Sequence, residues 1–266
     1  MRPLAEFSPA LRARVRNVLC DIDDTLTTDG HLTAAAYSAM EALQGAGMRV
    51  VPITGRPAGW CDQIARMWPV DAVVGENGAF YFRYDHARRT MRRHFVDDQA
   101  TRSRNRARLN QIAAHIIKAV PDAKLAADQP YRETDLAIDY CEDVPRLAPA
   151  VVEKIVALMR QEGLTAKVSS IHVNGWFGDY DKLSMTRILM HASFNIDLDA
   201  HKDEFVFAGD SPNDAPMFAF FPHAVGVANI AAFRDQFPAL PAYITASASG
   251  AGFCELAEFL LAARRG

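Results

Sequence analysis

Residues 15–25 read VRNVLCDIDDT, a short apolar run that stops abruptly at a group of acidic residues. Asp21 and Asp23 are separated by one residue, so on an extended chain their two carboxylates point the same way. Carboxylates held close together repel each other unless a cation or a shared proton offsets the charge. The stretch therefore predicts a buried strand that ends in a candidate metal or proton-transfer site. The alternative is an aspartate-rich loop that only caps the next element.

This stretch belongs to a longer alternation of strand-like and helix-like segments. Thr33 can cap a helix that ends at Gly45, and Pro57 suits the first turn of the next helix. Strands that alternate with helices of this length predict a parallel sheet with helices on both faces. The predicted strands are 15–20, 49–53, 72–74, 204–208, 224–227 and 243–245, and the predicted helices are 33–44, 57–68, 181–194, 213–220 and one at the C-terminus.

The pattern changes in the middle of the chain, where two helices and antiparallel-looking strands indicate a small α+β unit. We therefore predict an α/β fold. Its Rossmann-like parallel-sheet core, residues 1–83 and 178–266, is interrupted by an α+β cap, residues 84–177. The predicted cap elements are helices at 105–119 and 148–161, strands at 136–140 and 166–173, and a hairpin turn at Asn174-Gly175.

The bulk composition argues against several classes of protein. A formal net charge of −3 gives no reason to expect nucleic acid or an acidic membrane surface as the main partner. The arginine-rich stretch 88–108 is interrupted by Asp97 and Asp98, so we interpret it as a solvated face of the cap. The four cysteines form no CxxC pair, which fits a reducing compartment. Without an apolar run of signal-peptide or membrane-span length, we expect a cytoplasmic protein without a membrane partner.

Further polar groups follow the other predicted core strands. Thr54-Gly55-Arg56 follows the second strand, Glu76-Asn77-Gly78 the third, and the sequence GDSPND at 209–214 the first strand after the insertion. The carboxyl ends of parallel strands share one edge of a sheet, where ligand crevices form. We therefore predict that these groups converge on one site with Asp21 and Asp23.

Asp210 and Asp214 supply a third and a fourth carboxylate to this edge. A hard divalent cation held by a few carboxylates and retained waters is the pattern of Mg²⁺. Thr54 and the backbone N–H groups that follow it, at the start of a helix, suit an anion. The alternatives are a turn that only begins a helix and a threonine that only caps one. Lys182 opens the helix after the insertion, and a single lysine there is usually a solvated charge.

Together these residues resemble the haloacid dehalogenase-like superfamily. DIDDTL at 21–26, Thr54 of ITGRP, Lys182 and GDSPND occur in the order and arrangement of its four motifs. The insertion between the second and third motifs, preceded by GENGA at 75–79, resembles the type IIB cap. That subclass includes Cof-type sugar phosphatases and the sucrose and trehalose phosphate phosphatases. The resemblance spans about residues 15–255.

The resemblance implies a role for each matching residue. Asp21 is the expected nucleophile, which forms an aspartyl-phosphate, and Asp23 the expected acid that protonates the leaving oxygen and then activates water. Mg²⁺ is expected on Asp21, Asp210 and the backbone carbonyl of Asp23, with Asp214 in support. The expected substrate-binding residues are Thr54, Lys182 and Asn213 on the phosphoryl oxygens, together with Gly55, Arg56 and Asn77.

The leading hypothesis is a Mg²⁺-dependent phosphatase that hydrolyses a small phosphorylated metabolite through an aspartyl-phosphate, with a sugar phosphate as the expected substrate. A phosphomutase of the same fold, which returns the phosphoryl group to a sugar, is the second hypothesis. A non-catalytic binding protein on this scaffold is the third. Substrate choice is expected to depend on the cap, where Arg132 and His172 are the candidate contacts. Either a monomer or a homodimer is compatible with the sequence.

Overall fold

The computed structural model describes residues 1–264, so the last two residues of the predicted second core segment, 265 and 266, lie outside the described residues. The strands are β1 (Arg2–Pro3), β2 (Asn17–Cys20), β3 (Thr27–Thr28), β4 (His31–Leu32), β5 (Arg49–Pro52), β6 (Val73–Gly75), β7 (Phe80–Asp85), β8 (Thr90–Phe95), β9 (Lys124–Leu125), β10 (Asp135–Asp139), β11 (Thr165–Val168), β12 (His172–Trp176), β13 (Phe205–Gly209), β14 (Ala224–Gly226) and β15 (Tyr243–Ile244). The α-helices are α1 (Pro9–Arg12), α2 (Ala34–Gly45), α3 (Ala58–Met67), α4 (Gln99–Ala119), α5 (Pro149–Gln161), α6 (Lys182–Phe194), α7 (Leu198–His201), α8 (Ala215–Phe220) and α9 (Ser249–Ala262). Within residues 1–264, no helix is both long and apolar enough to cross a membrane.

The main sheet has the strand order β1-β15-β14-β13-β2-β5, and every neighbouring pair in it is parallel. A parallel bridge between Ile53 and Val74 continues this sheet into β6, and β7 and β8 then add to β6 as antiparallel strands. The strand β2, which carries the acidic residues at its end, lies between β13 and β5. The predicted α/β class with a parallel-sheet core is confirmed.

Side chains along a strand point alternately to the two faces of the sheet. Apolar side chains of the main sheet point to both faces, and helices cover both of them. Val18 and Cys20 of β2 pack on one face, and Leu19 packs on the other. All three side chains are fully buried. The first face carries residues of α2, α3 and α9, including Met40, Ile64 and Leu256, and the second carries residues of α6 and α8, including Met185, Leu189 and Phe218.

The insertion is an antiparallel sheet with the order β11-β12-β10-β9, and α4 and α5 pack against it. Its own hydrophobic core contains Leu109 and Ile116 from α4 and Ile155 and Met159 from α5. We refer to residues 96–181 as the cap.

The core reaches further along the chain than the sequence predicted. The hairpin β7–β8 extends the main sheet, so the chain leaves the core after Phe95 instead of near residue 83. The rings of Phe80 and Phe82 lie 4.5 Å apart, and Phe95 lies 5.2 Å from Phe80, so the hairpin has an aromatic face. From the sequence, the arginines of this hairpin predicted a solvated face of the cap.

Two further predictions within the cap differ from the structure. The helix α4 begins at Gln99 instead of Asn105, because the Asp98 side chain accepts a hydrogen bond from the Thr101 N–H at 2.7 Å and caps it there. The predicted strand 166–173 is two strands, β11 and β12, that pair with each other. Asn174-Gly175 therefore lies inside β12 and not at a hairpin turn.

Candidate active site

The carboxyl edge of the main sheet gathers the predicted polar residues. Asp21 follows β2, Thr54 follows β5, Asn77 follows β6 and Asp210 follows β13. These four side chains are almost completely buried, and so is Lys182, the first residue of α6. Four strand ends and the start of α6 thus bring residues from five distant parts of the sequence into one site.

Asp21, Asp210 and Asp214 form an acidic cluster. Each offers one carboxylate oxygen, and these oxygens all lie within 4.8 Å of one another. The Lys182 Nζ lies 2.7 Å from Asp21 Oδ1 and 2.7 Å from Asp214 Oδ1. Because three carboxylates share one ammonium group, the cluster has an excess of negative charge in a buried place.

This excess negative charge and the burial of the cluster shift the pKa values of its side chains. Burial raises the pKa of Asp21 to about 8. The nearby charges of Asp214 and Asp23 add to this increase in pKa, and the charge of Lys182 opposes it. Burial and the neighbouring Asp21 also raise the pKa of Asp210 well above its usual value. Burial alone would lower the pKa of Lys182, but its two carboxylate partners raise it. The cluster therefore favours the uptake of protons or of a cation.

The donor set fits a hard divalent cation. Asp210 is held in place by Asn229, whose Nδ2 donates to Asp210 Oδ2 at 3.0 Å. Asp214 Oδ2 accepts the backbone N–H groups of Asp210 and Ser211 at 3.1 and 3.2 Å. Oxygen ligands positioned in this way, with net negative charge, are those that Mg²⁺ prefers. Asp21, Asp210 and Asp214 are thus the residues that would hold the ion.

Asp23 does not share this cluster through its side chain. The Arg56 Nε lies 2.8 and 3.0 Å from the two carboxylate oxygens of Asp23, and the two side chains form an ion pair. The Asp23 carboxylate is thus outside the group of three carboxylates, although it lines the same small cavity as Asp21. Its role as a metal ligand through the backbone carbonyl stays a prediction.

A second group of residues lines the predicted phosphoryl site. Asn213 Nδ2 donates to Asn77 Oδ1 at 3.0 Å, and Asn77 has a left-handed backbone with φ of 55°. The Asn77 Nδ2 is buried and has no hydrogen-bond partner among residues 1–264. A Cβ atom on Gly55 would lie 3.1 Å from this nitrogen, so the glycine allows the close approach. The Thr54 Oγ1 accepts the Arg56 N–H at 3.0 Å, which leaves its own hydrogen to donate. Such donors suit an oxygen-rich anion.

The cap contributes an acidic residue that the sequence analysis missed. Glu142 follows β10, and its Oε1 accepts a hydrogen bond from Arg56 Nη2 at 2.6 Å. The His172 Nε2 lies 2.8 Å from Glu142 Oε2. Although burial alone raises the pKa of Glu142, His172 and Arg56 lower it to about 2. Arg56 therefore connects Asp23 of the core to Glu142 of the cap, and no local motif around residue 142 signals this contact.

The cavity between these groups is very small, about 10 Å³. Its lining residues are Asp21, Asp23, Gly55, Arg56, Ser169, Ile171, His172, Asn174 and Asn213. A volume of about 10–15 Å³ holds roughly one water molecule. An organic phosphate therefore does not fit this cavity as it stands in the structure.

Arg132 does not face this cavity, so its prediction as a substrate contact is wrong. The guanidinium is fully buried, donates to the Gly55 carbonyl at 2.9 Å and forms ion pairs with Asp128 and Asp135. Asn174, which the sequence analysis did not select, does line the cavity and donates through Nδ2 to Asp135 Oδ2 at 2.9 Å. The prediction for His172 stays open, because this residue lines the cavity.

Glu76 links the core to the cap beside the site. Its Oε1 accepts the N–H groups of Ala58 and Glu133 at 2.9 and 2.8 Å. Its Oε2 accepts the Thr134 N–H at 2.6 Å and the Thr134 hydroxyl. One buried carboxylate thus joins the start of α3 to the cap segment that leads into β10.

A larger cleft of about 920 Å³ opens on the other side of the acidic cluster. Asp24, Asp210 and Asn229 line its core wall, and Val152 and Glu153 of α5 lie on its cap wall. The acidic cluster thus lies between the small cavity and this cleft.

Comparison with known proteins agrees with this arrangement. Residues 18–118 match the family model of the haloacid dehalogenase-like hydrolases. No protein with a curated description matches the chain. The match covers the part of the core that carries Asp21, Asp23 and Thr54, and it confirms the predicted resemblance to this superfamily and a hydrolytic enzyme.

Solved structures share the whole architecture at low sequence identity. A protein from Thermoplasma acidophilum is 18% identical, with a TM-score of 0.68 and coverage of 93% of this chain and 99% of that one. The sucrose-phosphatase of Synechocystis sp., solved with sucrose and phosphate, is 17% identical, with a TM-score of 0.62 and coverage of 91% and 97%. The C-terminal domain of trehalose-6-phosphate phosphatase from C. albicans is 13% identical, with a TM-score of 0.68 and coverage of 98% of both chains.

Proposed function

We propose that this hydrolase is a Mg²⁺-dependent phosphatase that cleaves a phosphomonoester of a small metabolite, with Asp21 as its nucleophile. The observation that carries the proposal is the position of Asp21. Its Oδ1 is bound by Lys182 beside two more carboxylates, and Asp23 follows two residues later. Among the described residues, its side-chain hydrogen bond goes to Oδ1 alone, which leaves Oδ2 for the reacting phosphorus.

In the first step, Asp21 attacks the phosphorus while the bond from phosphorus to the ester oxygen breaks. Asp23 gives that oxygen a proton, so the leaving group departs as a neutral alcohol. Lys182, Asn77 and Thr54 hold the phosphoryl oxygens in line for the attack. The product is an aspartyl-phosphate on Asp21.

In the second step, a water attacks the phosphorus and gives its proton to Asp23. The bond from phosphorus to Asp21 breaks, which releases inorganic phosphate and restores both carboxyl groups. The ion pair with Arg56 holds the Asp23 carboxylate in position for this step. Mg²⁺ bound to the acidic cluster would offset the repulsion between the carboxylate and the phosphate dianion.

The substrate is proposed to be a sugar phosphate. Two proteins of the same fold are a sucrose-phosphatase and a trehalose-6-phosphate phosphatase. The cavity wall beside Asp23 carries Asn174, Ser169 and His172, which suit the hydroxyl groups of a sugar. We place the enzyme in the cytoplasm.

Phosphate release from a panel of sugar and polyol phosphates and one aryl phosphate, with Mg²⁺, tests the proposal. We expect hydrolysis of several sugar phosphates, and loss of activity when a chelator removes the metal. No phosphate release from any ester with Mg²⁺ would contradict the proposed reaction. Release from the aryl phosphate alone would contradict the proposed substrate class.

A further inference from the structure

The guanidinium of Arg56 is surrounded by carboxylates of the protein itself. Asp23 binds it from the core at 2.7 Å, Glu142 from the cap at 2.6 Å, and Asp128 of the cap lies 3.4 Å away. Asp128 also pairs with Arg132, so it is only partly available to Arg56. Asp23 and Glu142 are therefore the two charges that neutralise this cation.

Arg56 and His172 are the basic side chains among the residues that line the small cavity. Both are already in contact with Glu142. Even a protonated His172 would therefore have a carboxylate partner beside it. An arginine with an open side is the usual receptor for a carboxylate or a phosphate of a ligand. Here the open side is occupied by the cap.

The position of the leaving group follows from Asp23. The ester oxygen that Asp23 protonates has to lie within hydrogen-bond distance of its carboxylate. The rest of the leaving group then lies next to Arg56 and Glu142, since Arg56 Nε is 2.8 Å from Asp23 Oδ1. A negative charge on the leaving group would face two carboxylates, and the two basic side chains that line the small cavity, Arg56 and His172, already contact Glu142. Juxtaposed like charges oppose binding strongly.

We propose that Glu142 is a specificity-determining residue that makes this site select phosphate esters with an uncharged leaving group, and that it does so by occupying Arg56. The proposal rests on the proposed function, because it takes Asp23 as the acid beside the leaving group. It assigns sugars and polyols as substrates. It excludes esters that carry a carboxylate or a second phosphate close to the reacting one.

Binding of a matched pair of ligands tests this proposal without relying on turnover. Glycerol 3-phosphate and 3-phosphoglycerate have three carbons each and differ in a hydroxymethyl group against a carboxylate. Isothermal titration with Mg²⁺ would use an Asp21→Asn background, so that neither ester is consumed. We expect glycerol 3-phosphate to bind at least about tenfold more tightly, and Glu142→Gln to reduce this ratio by about tenfold.

Glu153→Gln is the matched control, because Glu153 is an exposed carboxylate of the same cap that lines the larger cleft and not the small cavity. With Glu153→Gln added to the Asp21→Asn protein, the ratio of the two ester affinities should be the same as in Asp21→Asn alone. A fall of equal size in both variants would indicate a general effect of net charge and would overturn the proposal. A fall in Glu153→Gln alone would place the leaving group in the larger cleft and would overturn it too.

Three further outcomes would each overturn the proposal. They are equal binding of the two esters in the Asp21→Asn background, a binding ratio unchanged by Glu142→Gln, and no binding of either ester. Glu142→Ala provides a second variant if the glutamine variant does not fold. Failure of the proposed function has a separate signature, namely the expected binding ratios in a protein whose native form releases no phosphate.

Discussion

Asp21 and Asp23 lie two residues apart, but their carboxylates have different partners. Asp21 is bound by a lysine inside an acidic cluster, whereas Asp23 is bound by an arginine at the boundary with the cap. The first environment suits the proposed nucleophile beside a proposed metal site, and the second suits the proposed proton carrier beside a leaving group. Under this proposal, two identical side chains take different roles in one reaction because their partners differ.

Replacing Asp21 tests the nucleophile. Asp21→Asn should lower kcat by at least about a thousandfold, because the amide cannot form the acyl phosphate. The thermal midpoint should stay within a few degrees, since the two side chains have nearly the same shape. Asp29→Asn, the same change at an exposed loop position, is the control and should keep full activity. Substantial turnover by purified Asp21→Asn would remove Asp21 from the mechanism.

Replacing Asp23 tests the proton donor. Asp23→Asn should lower kcat/KM for a sugar phosphate by about 10²–10⁴-fold, the usual contribution of a general acid. The loss for an aryl phosphate should be much smaller, because a phenolate leaves without a proton. The measurement is the ratio of the two kcat/KM values, which reports the first irreversible step. Equal losses on both substrates would show that Asp23 does not protonate the leaving oxygen.

The residues at the strand ends could be predicted from the sequence, and Glu142 could not. Asp21, Thr54 and Asp210 each follow an apolar strand pattern, and strand ends of a parallel sheet meet at one edge. Glu142 follows a cap strand with no motif around it, and its contact with Arg56 spans 86 residues. Arg132 was a candidate substrate contact in the cap, yet Asp128 and Asp135 neutralise its charge inside the protein.

At the scale of the elements, Glu76 is the connection between the cap and the first turn of α3. Its four donors come from the backbone of Ala58, Glu133 and Thr134 and from the Thr134 hydroxyl. Because Arg132 next to them donates to the Gly55 carbonyl, this part of the cap is fixed to the loop that holds Thr54. We expect the cap to move about this point when it opens.

Glu76→Gln should lower the free energy of unfolding by about 2–4 kcal/mol, because the new NH₂ group faces donors and leaves some of them unsatisfied in a buried place. Denaturant unfolding measures the change. Glu133→Gln is the control, since its side chain is 46% exposed and lies 3.8 Å from its one ion-pair partner, Arg102. Its effect should stay below about 0.5 kcal/mol. Equal effects of the two variants would show that the Glu76 contacts do not support the fold.

Sequence reasoning located most of the elements because their periodicity is strong. The predicted helix 33–44 is α2 at Ala34–Gly45, and the predicted strand 49–53 is β5 at Arg49–Pro52. The hairpin β7–β8 was missed, because five arginines between residues 80 and 95 interrupt the aromatic residues and hide the alternation. The aromatic face becomes visible only once the strands pair and Phe80, Phe82 and Phe95 meet.

At the scale of the whole molecule, we expect the acidic cluster to couple metal binding to the stability of the fold. The pKa of Asp21 is about 8 in the fold against 3.8 in its ordinary state, so the metal-free folded protein binds more protons than the unfolded chain. Its free energy of unfolding should therefore decrease as the pH rises from about 4 through 8. Mg²⁺ bound to the cluster, as we propose, would compete with these protons, so it should stabilise the fold most at the pH values at which the protons are lost.

Thermal unfolding with Mg²⁺ and with a chelator, at several values between about pH 5 and pH 8, measures this coupling. The increase in Tm caused by Mg²⁺ should grow with pH over that range, since the cluster binds the metal only when it is deprotonated. Asp210→Asn should remove most of the increase. A Tm shift that is the same at every pH would contradict the assignment of the metal to these carboxylates.

The order of strands in the main sheet has a consequence for synthesis on the ribosome. β2 lies between β5 and β13, and β13 begins only at Phe205, after the entire cap. The nascent core therefore carries an unpaired apolar strand edge while the roughly one hundred residues after Phe95 are made, which takes about ten seconds at ~5–20 residues per second. The cap sheet and its helices lie within residues 99–176, so the cap has all its partners first. Chaperones that shield open strand edges should therefore matter most to this chain during that interval, before β13 pairs with β2, the strand that Asp21 follows.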